Sequence, residues 1–176
     1  MSDHVDVPPE VISVAEERAR AKADRDFATA DALRDRIAAL GYVVTDTSEG
    51  FQLTPKPPYE VAPALAAVAA AGPLAREATC VVGLLVDGWP DDVERCIRAV
   101  VDNTGPEIVV VALDCGNVGG AGDMVHRLAQ GSAGRVIELH VSGTLAQVGW
   151  GKAIAALLEA SGSEFFAAMD LSTVLD

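Results

Sequence analysis

Four apolar runs of strand length punctuate the second half of the chain, at 79–86, 107–113, 135–141 and 164–169. The first, Thr-Cys-Val-Val-Gly-Leu-Leu-Val, is apolar throughout, as expected of a strand covered on both faces. Between the runs the period changes. Asp91-Asp92 open a helix with Val93, Ile97 and Val100-Val101 on one face, and 123–130 reads as a short helix. A third helix runs from about 149 to 160, where Ser161-Gly162-Ser163 stop it. Strands alternating with helices predict an α/β domain with a mostly parallel, doubly wound sheet, because parallel neighbours need crossover connections.

The first third has a different rhythm. Pro8-Pro9-Glu10 starts a helix, and Val11, Val14 or Ala15, Arg18-Ala19 and Lys22-Ala23 keep a small-residue stripe at helical spacing until 24–26 interrupts it. A second helix over about 28–40 puts Leu33, Ile37 and Leu40 on one face, and Gly41 follows as its cap. Two β-prone stretches, 42–45 and 51–54, flank a turn at 46–50. An α-helical hairpin followed by a β-hairpin is therefore expected over 1–54. Residues 55–78 form a connector: Pro55-Lys56-Pro57-Pro58 cannot lie inside a helix or central strand, and an alanine-rich helix over 61–71 stops at Gly72-Pro73. The α/β domain fills 79–176.

Composition narrows the function classes. No apolar run reaches the roughly 18–20 residues that span a bilayer, and the acidic N-terminus is unlike a signal peptide, so a cytoplasmic location is expected. Cys80, Cys96 and Cys115 form no CxxC pair and read as free thiols. The formal charge is −13, with 12 acids against 7 bases over residues 1–60 and 14 against 6 over the remainder. Without a basic patch the chain is a poor match for a phosphate backbone; DNA is excluded as a partner and tRNA disfavoured. A divalent cation remains a way to bring in an anionic ligand.

Three predicted strands deliver acids at their carboxyl ends, Asp87, Asp114 and Asp170, and Ser142-Gly143-Thr144 follows the remaining one. In open α/β sheets ligands sit beyond that edge, at the switch in strand order. Turn or cap roles are the alternative for Asp87 and Asp114. Two phosphate motifs fail. The stretch 116–122 gives G-x-G-x-x-G in neither register and is expected to be a mobile loop, with ligand approach by its backbone as the alternative. The stretch 146–153 has Ala146 and Ala153 where a P-loop needs Gly and Ser/Thr. What survives is Lys152 in the first turn of a helix, either an anion contact or a solvated lysine. His140 is expected to pack at the end of its strand and His126 to lie on the surface; neither His140 nor Ser142 has a visible catalytic partner.

Two resemblances follow. Arg18-Ala19-Arg20, Asp26-Phe27, Ala30-Asp31, Leu33-Arg34-Asp35, Leu40-Gly41 and Asp46-Thr47-Ser48-Glu49-Gly50 resemble the C-terminal helical segment of cysteinyl-tRNA synthetases over residues 11–54. The core of this pattern also resembles the UVR motif of excision-repair nuclease subunits, although its tail fits the synthetase version better. No synthetase catalytic domain accompanies it, which implies a packing or docking hairpin, with inherited tRNA contact opposed by the acidic charge. Residues 80–176 resemble the nucleotide-sugar-binding half of family-2 (type-A fold) glycosyltransferases. This likeness rests on 80–86, on Val110-Val111-Ala112-Leu113-Asp114, on the helix over 151–159, and on Ser163-Glu164-Phe165-Phe166-Ala167-Ala168-Met169-Asp170.

That second resemblance implies a donor site of Asp87, Asp114, Lys152, Asp170 and Ser172. Asp114 would contact the base, and Asp170 would hold a divalent Mg or Mn on the donor diphosphate. Ser172 stands where the family has a second acid, Ala155 near a usual asparagine, and Asp87 where a small polar residue is common. The family's acceptor half and catalytic base lie downstream, so no base is assigned. The resemblance implies either a piece of a longer transferase acting on an unknown acceptor or a donor-binding remnant. The alternative is a non-enzymatic module whose hairpin binds a protein or RNA partner while the α/β part is scaffold.

Overall fold

A computed structural model describes residues 7–48 and 50–173. The chain divides into two compact units, 1–58 and 59–176. Among the described residues no helix is long and apolar enough to cross a membrane.

The first unit is a pair of helices followed by a pair of strands. Helix α1 (Pro9–Ala23) begins after Pro8, and α2 (Phe27–Ala39) is capped by Asp26, which accepts from the Thr29 N–H at 3.1 Å. The cap satisfies one of the amides a helix start leaves open. Strands β1 (Tyr42–Thr47) and β2 (Gly50–Pro55) pair antiparallel, with Val44 opposite Leu53. Val11, Val14, Ala15, Ile37 and Val44 are buried together, with Leu33, Leu40, Tyr42, Phe51 and Leu53 packed around them. The turn is tighter than predicted. Asp46 belongs to β1, where it pairs in register with Phe51, and Glu49 lies outside the described residues. Arg18 explains why Asp46 stays on the strand: its guanidinium reaches the two carboxylate oxygens at 2.8 and 3.1 Å, and Lys22 adds a bond of 2.6 Å.

The second unit is α/β with a four-stranded parallel sheet. Its strands are β3 (Cys80–Val86), β4 (Ile108–Cys115), β5 (Val136–Val141) and β6 (Phe165–Met169), in spatial order β5-β4-β3-β6. Helices α4 (Pro90–Asn103) and α5 (Ala121–Gly131) cover one face, around Leu84, Val86, Val93, Ile97, Val110 and Val125. The short α3 (Leu65–Ala70) and α7 (Trp150–Ser161) cover the other, around Val68, Val81, Leu113 and Leu157. The first three strands step one way across the sheet. The chain then crosses to the opposite face through α6 (Leu145–Val148) and α7 and returns β6 to the far side of β3. The switch in strand order therefore lies between β3 and β6. Gly83 makes that pairing possible: the Phe166 ring occupies the space where a Cβ at this position would stand.

Three local expectations change. The helix predicted over 61–71 is confined to Leu65–Ala70, because Ala62 forms a parallel bridge to Val141 at the edge of β5. The stretch 116–122 is a pinned turn: Val118–Gly120 is a 3-10 segment and α5 begins at Ala121. Helix α6 was not expected. Thr144 and Gln147 close a capping box around it, with the Thr144 N–H donating to Gln147 Oε1 at 2.9 Å.

Candidate functional site

The carboxyl edge of the parallel sheet gathers the strand-end acids. Asp87 follows β3 and is half-buried. Asp170 follows β6 and is exposed. It accepts the Ser172 N–H at 2.9 Å and the Ser172 hydroxyl at 2.6 Å, both on Oδ1. Those two donors lower its pKa below the ordinary carboxylate value. Ser172 thus orients Asp170 in a local turn. Lys152 is exposed in the first turn of α7.

A Mg- or Mn-class cation takes about six oxygen ligands. Among the described residues no three His, Cys, Asp or Glu side chains converge as a cation site. Asp170 is one carboxylate with one oxygen already bonded twice. Among the described residues, these side chains do not by themselves make a resident metal site.

Asp114 differs from its neighbours. It is 1% exposed at the end of β4 and faces inward. Its oxygens accept the Asn117 N–H at 3.1 and 3.2 Å, and Oδ2 lies 3.1 Å from His140 Nδ1. Gly122 at the start of α5 packs against it: a Cβ there would stand 2.5 Å from Asp114 Oδ2, so only glycine allows this approach. Asn117 then braces the turn, with its side-chain amide donating to Asp123 Oδ2 at 3.2 Å and accepting the Asp123 N–H at 3.2 Å. The glycine-rich turn is held by an aspartate and an asparagine.

From Asp114 a polar network runs through the unit. His140, 3% exposed, places Nε2 at 3.0 Å from Glu138 Oε2. Glu138 in turn meets His126 Nδ1 at 2.9 Å. Tyr59 stacks on His140, ring centroids 3.7 Å apart and planes at 17°, and donates its hydroxyl to Asp123 Oδ1 at 2.9 Å. Burial disfavours a charge on His140, but the hydrogen bonds and negative charge of Asp114 and Glu138 outweigh it, and its pKa is raised. The Tyr59 hydroxyl is pushed up by burial first and by donating its hydrogen bond to the Asp123 carboxylate next.

His140 thus has the partners that the sequence did not reveal, and His126 is half-buried rather than on the surface. A signal existed. Glu138 and His140 are two apart in a strand, hence on one face, and both break an otherwise apolar run. Tyr59 and Asp123 carried no such mark. The cysteines are free; burial pushes the Cys96 thiol up to about 11 and that of Cys115 up to about 12, which keeps both protonated and unreactive.

Comparison with known proteins concerns the first unit. Residues 4–52 match the family model described as the cysteinyl-tRNA ligase anticodon binding domain. The chain is 52% identical over 50 residues to a cysteine–tRNA ligase of Opitutus terrae, covering 28% of this chain and 11% of the ligase. A Methanosarcina mazei counterpart is 49% identical over 45 residues, 26% and 10% of the two chains. One from Nitratidesulfovibrio vulgaris is 54% identical over 43 residues, 24% and 9%. The chain thus spans about a tenth of the length of these relatives. No solved structure matches it. The resemblance of the N-terminal hairpin to cysteinyl-tRNA synthetases is upheld, whereas the glycosyltransferase likeness of residues 80–176 gains no support.

Proposed function

We propose that residues 7–55 are a non-enzymatic interaction module of the kind cysteinyl-tRNA ligases carry, here joined to an α/β scaffold. The observation that carries this is the family match over residues 4–52, which coincides with a unit that has its own core. Anticodon binding, named in that family's description, would make tRNA the partner, but the electrostatics favour a protein. Arg18 and Lys22 are both engaged by Asp46, and Arg36 lies 3.6 Å from Glu10. Arg20, Arg25, Arg34 and Lys56 remain, among Glu16, Glu17, Asp24, Asp31 and Asp35. Such a mixed surface neutralises few phosphates. Phe27, 62% exposed, and Ile12, 40% exposed, offer apolar anchors for a protein surface. The test is retention by the immobilised full chain. A protein partner held by the wild type, lost on Ile12→Asp with Phe27→Asp and indifferent to nucleotide supports the module. Retention of tRNA at about 200 mM salt defeats the choice of partner.

A second reading, a nucleotide-sugar donor site on the α/β unit, is favoured by the strand order. Asp87 and Asp170 follow the two strands that flank the switch point, where open α/β sheets receive ligands. In this reading Lys152 meets the diphosphate and Asp170, oriented by Ser172, meets the divalent cation that the diphosphate carries. Asp87 lines the base side, and Asp114 shapes it by holding the turn at Asn117. Calorimetry with UDP-, GDP- and TDP-sugars, with and without Mn²⁺, tests it. Saturable heat that Lys152→Ala and Asp170→Asn each weaken tenfold or more is expected; no heat with any of the three removes the reading.

A further inference from the structure

The segment 59–63 lies as a strap along the outer edge of β5. Ala62 donates its N–H to the His140 carbonyl at 2.8 Å and accepts the Ser142 N–H at 3.1 Å. Tyr59 lays its ring on His140. Beneath that ring, carboxylates flank both imidazole nitrogens: Asp114 from β4 stands 3.1 Å from Nδ1, and Glu138 from β5 itself stands 3.0 Å from Nε2. Helix α5 contributes His126, bonded to Glu138, and Asp123, which takes the Tyr59 hydroxyl. Among the described residues, no lysine or arginine joins this cluster through a hydrogen bond or ion pair.

An ionised carboxylate only accepts, so a hydrogen bond at each ring nitrogen requires a proton on each, and neutral imidazole has one. The imidazolium satisfies both contacts and presents a cationic ring to the Tyr59 face. Losing one proton sets a lone pair against a carboxylate oxygen in a buried site. The consequence reaches the carboxyl edge, because Asp123 holds Tyr59 through Oδ1 and Asn117 through Oδ2.

We propose that the strap is a proton-operated latch: doubly protonated His140 holds it closed on β5 and braces the turn at Asn117, and loss of one proton releases both. The sign follows from tighter proton binding in the closed form. Closure is fully supported below the ordinary histidine value of 6.5 and is lost as pH rises through the raised value in the closed state.

The test uses the full chain from about pH 6 to about pH 10, a range that brackets the histidine transition. It follows the His140 ring-nitrogen resonances and the amide exchange of Ala62, Ser142 and Asn117, corrected for intrinsic rates. Both ring nitrogens should be protonated at the acid end, and protection of all three amides should fall together, by up to about tenfold per pH unit above the ordinary histidine value, and level off above the raised value of the closed state. Glu138→Gln, at a half-buried position, supplies an amide donor to Nε2; protection should then stay flat to high pH. A single neutral tautomer throughout overturns the proposal. So does protection that ignores pH in the wild type, or a fall with pH that Glu138→Gln leaves unchanged.

Discussion

Asp46 shows how one side chain can organise a small unit. Its sequence context, Asp46-Thr47-Ser48-Glu49-Gly50, reads as a turn, yet it sits on β1 because Arg18 and Lys22 converge on it from α1. The Arg18 guanidinium, then Lys22, hold its carboxyl well below the usual range. A depressed carboxylate stabilises the fold above its unfolded value of about 3.8 and loses that effect as pH falls through the folded one. The Asp46 side chain is 48% exposed, so solvent screening limits the gain. Asp46→Asn should cost about 1 kcal/mol at neutral pH, with no difference from wild type in strong acid, as read by urea unfolding at the two pH values. The candidate site was partly legible at the same scale. Asp87, Asp114 and Asp170 end three strands as the sequence suggests, but the inward turn of Asp114 is set by Asn117, His140 and Gly122.

Element by element, the four strands fall within a residue or two of where apolar runs placed them. The misses share a cause. Helix α3 is short because Ala62 is committed to β5, and α6 is too brief for any periodicity to register, although its Thr144…Gln147 box was visible. Arg135 is a further tertiary decision. It donates to the Val101 carbonyl at 2.7 Å and the Thr104 carbonyl at 3.0 Å, to the Thr104 hydroxyl at 2.7 Å, and to the Ile108 carbonyl. One guanidinium thereby closes the end of α4 and ties it to the start of β4 and β5. Arg135→Met keeps the stem and removes the donors. It should cost about 2–3 kcal/mol in chemical unfolding and speed amide exchange in the last turn of α4.

For the whole molecule, the acidic balance and the two-unit division set what each part can do. The first unit carries the ligase-like match and a mixed-charge surface; the second carries a switch point and a buried titratable network. Sequence alone determined the kinds of elements, their alternation and the parallel sheet, because periodicity and turn chemistry depend on residues a few positions apart. It determined the ligase-like hairpin as well, since that pattern is contiguous. Only the tertiary structure decided that β6 returns beside β3, that Asp114 turns inward, and that Tyr59 closes over His140. The partners in that network are 26 residues apart at Asp114 and His140 and 64 apart at Tyr59 and Asp123. No local period relates such positions, so the packing of the sheet and its strap, rather than chain proximity, brings them together.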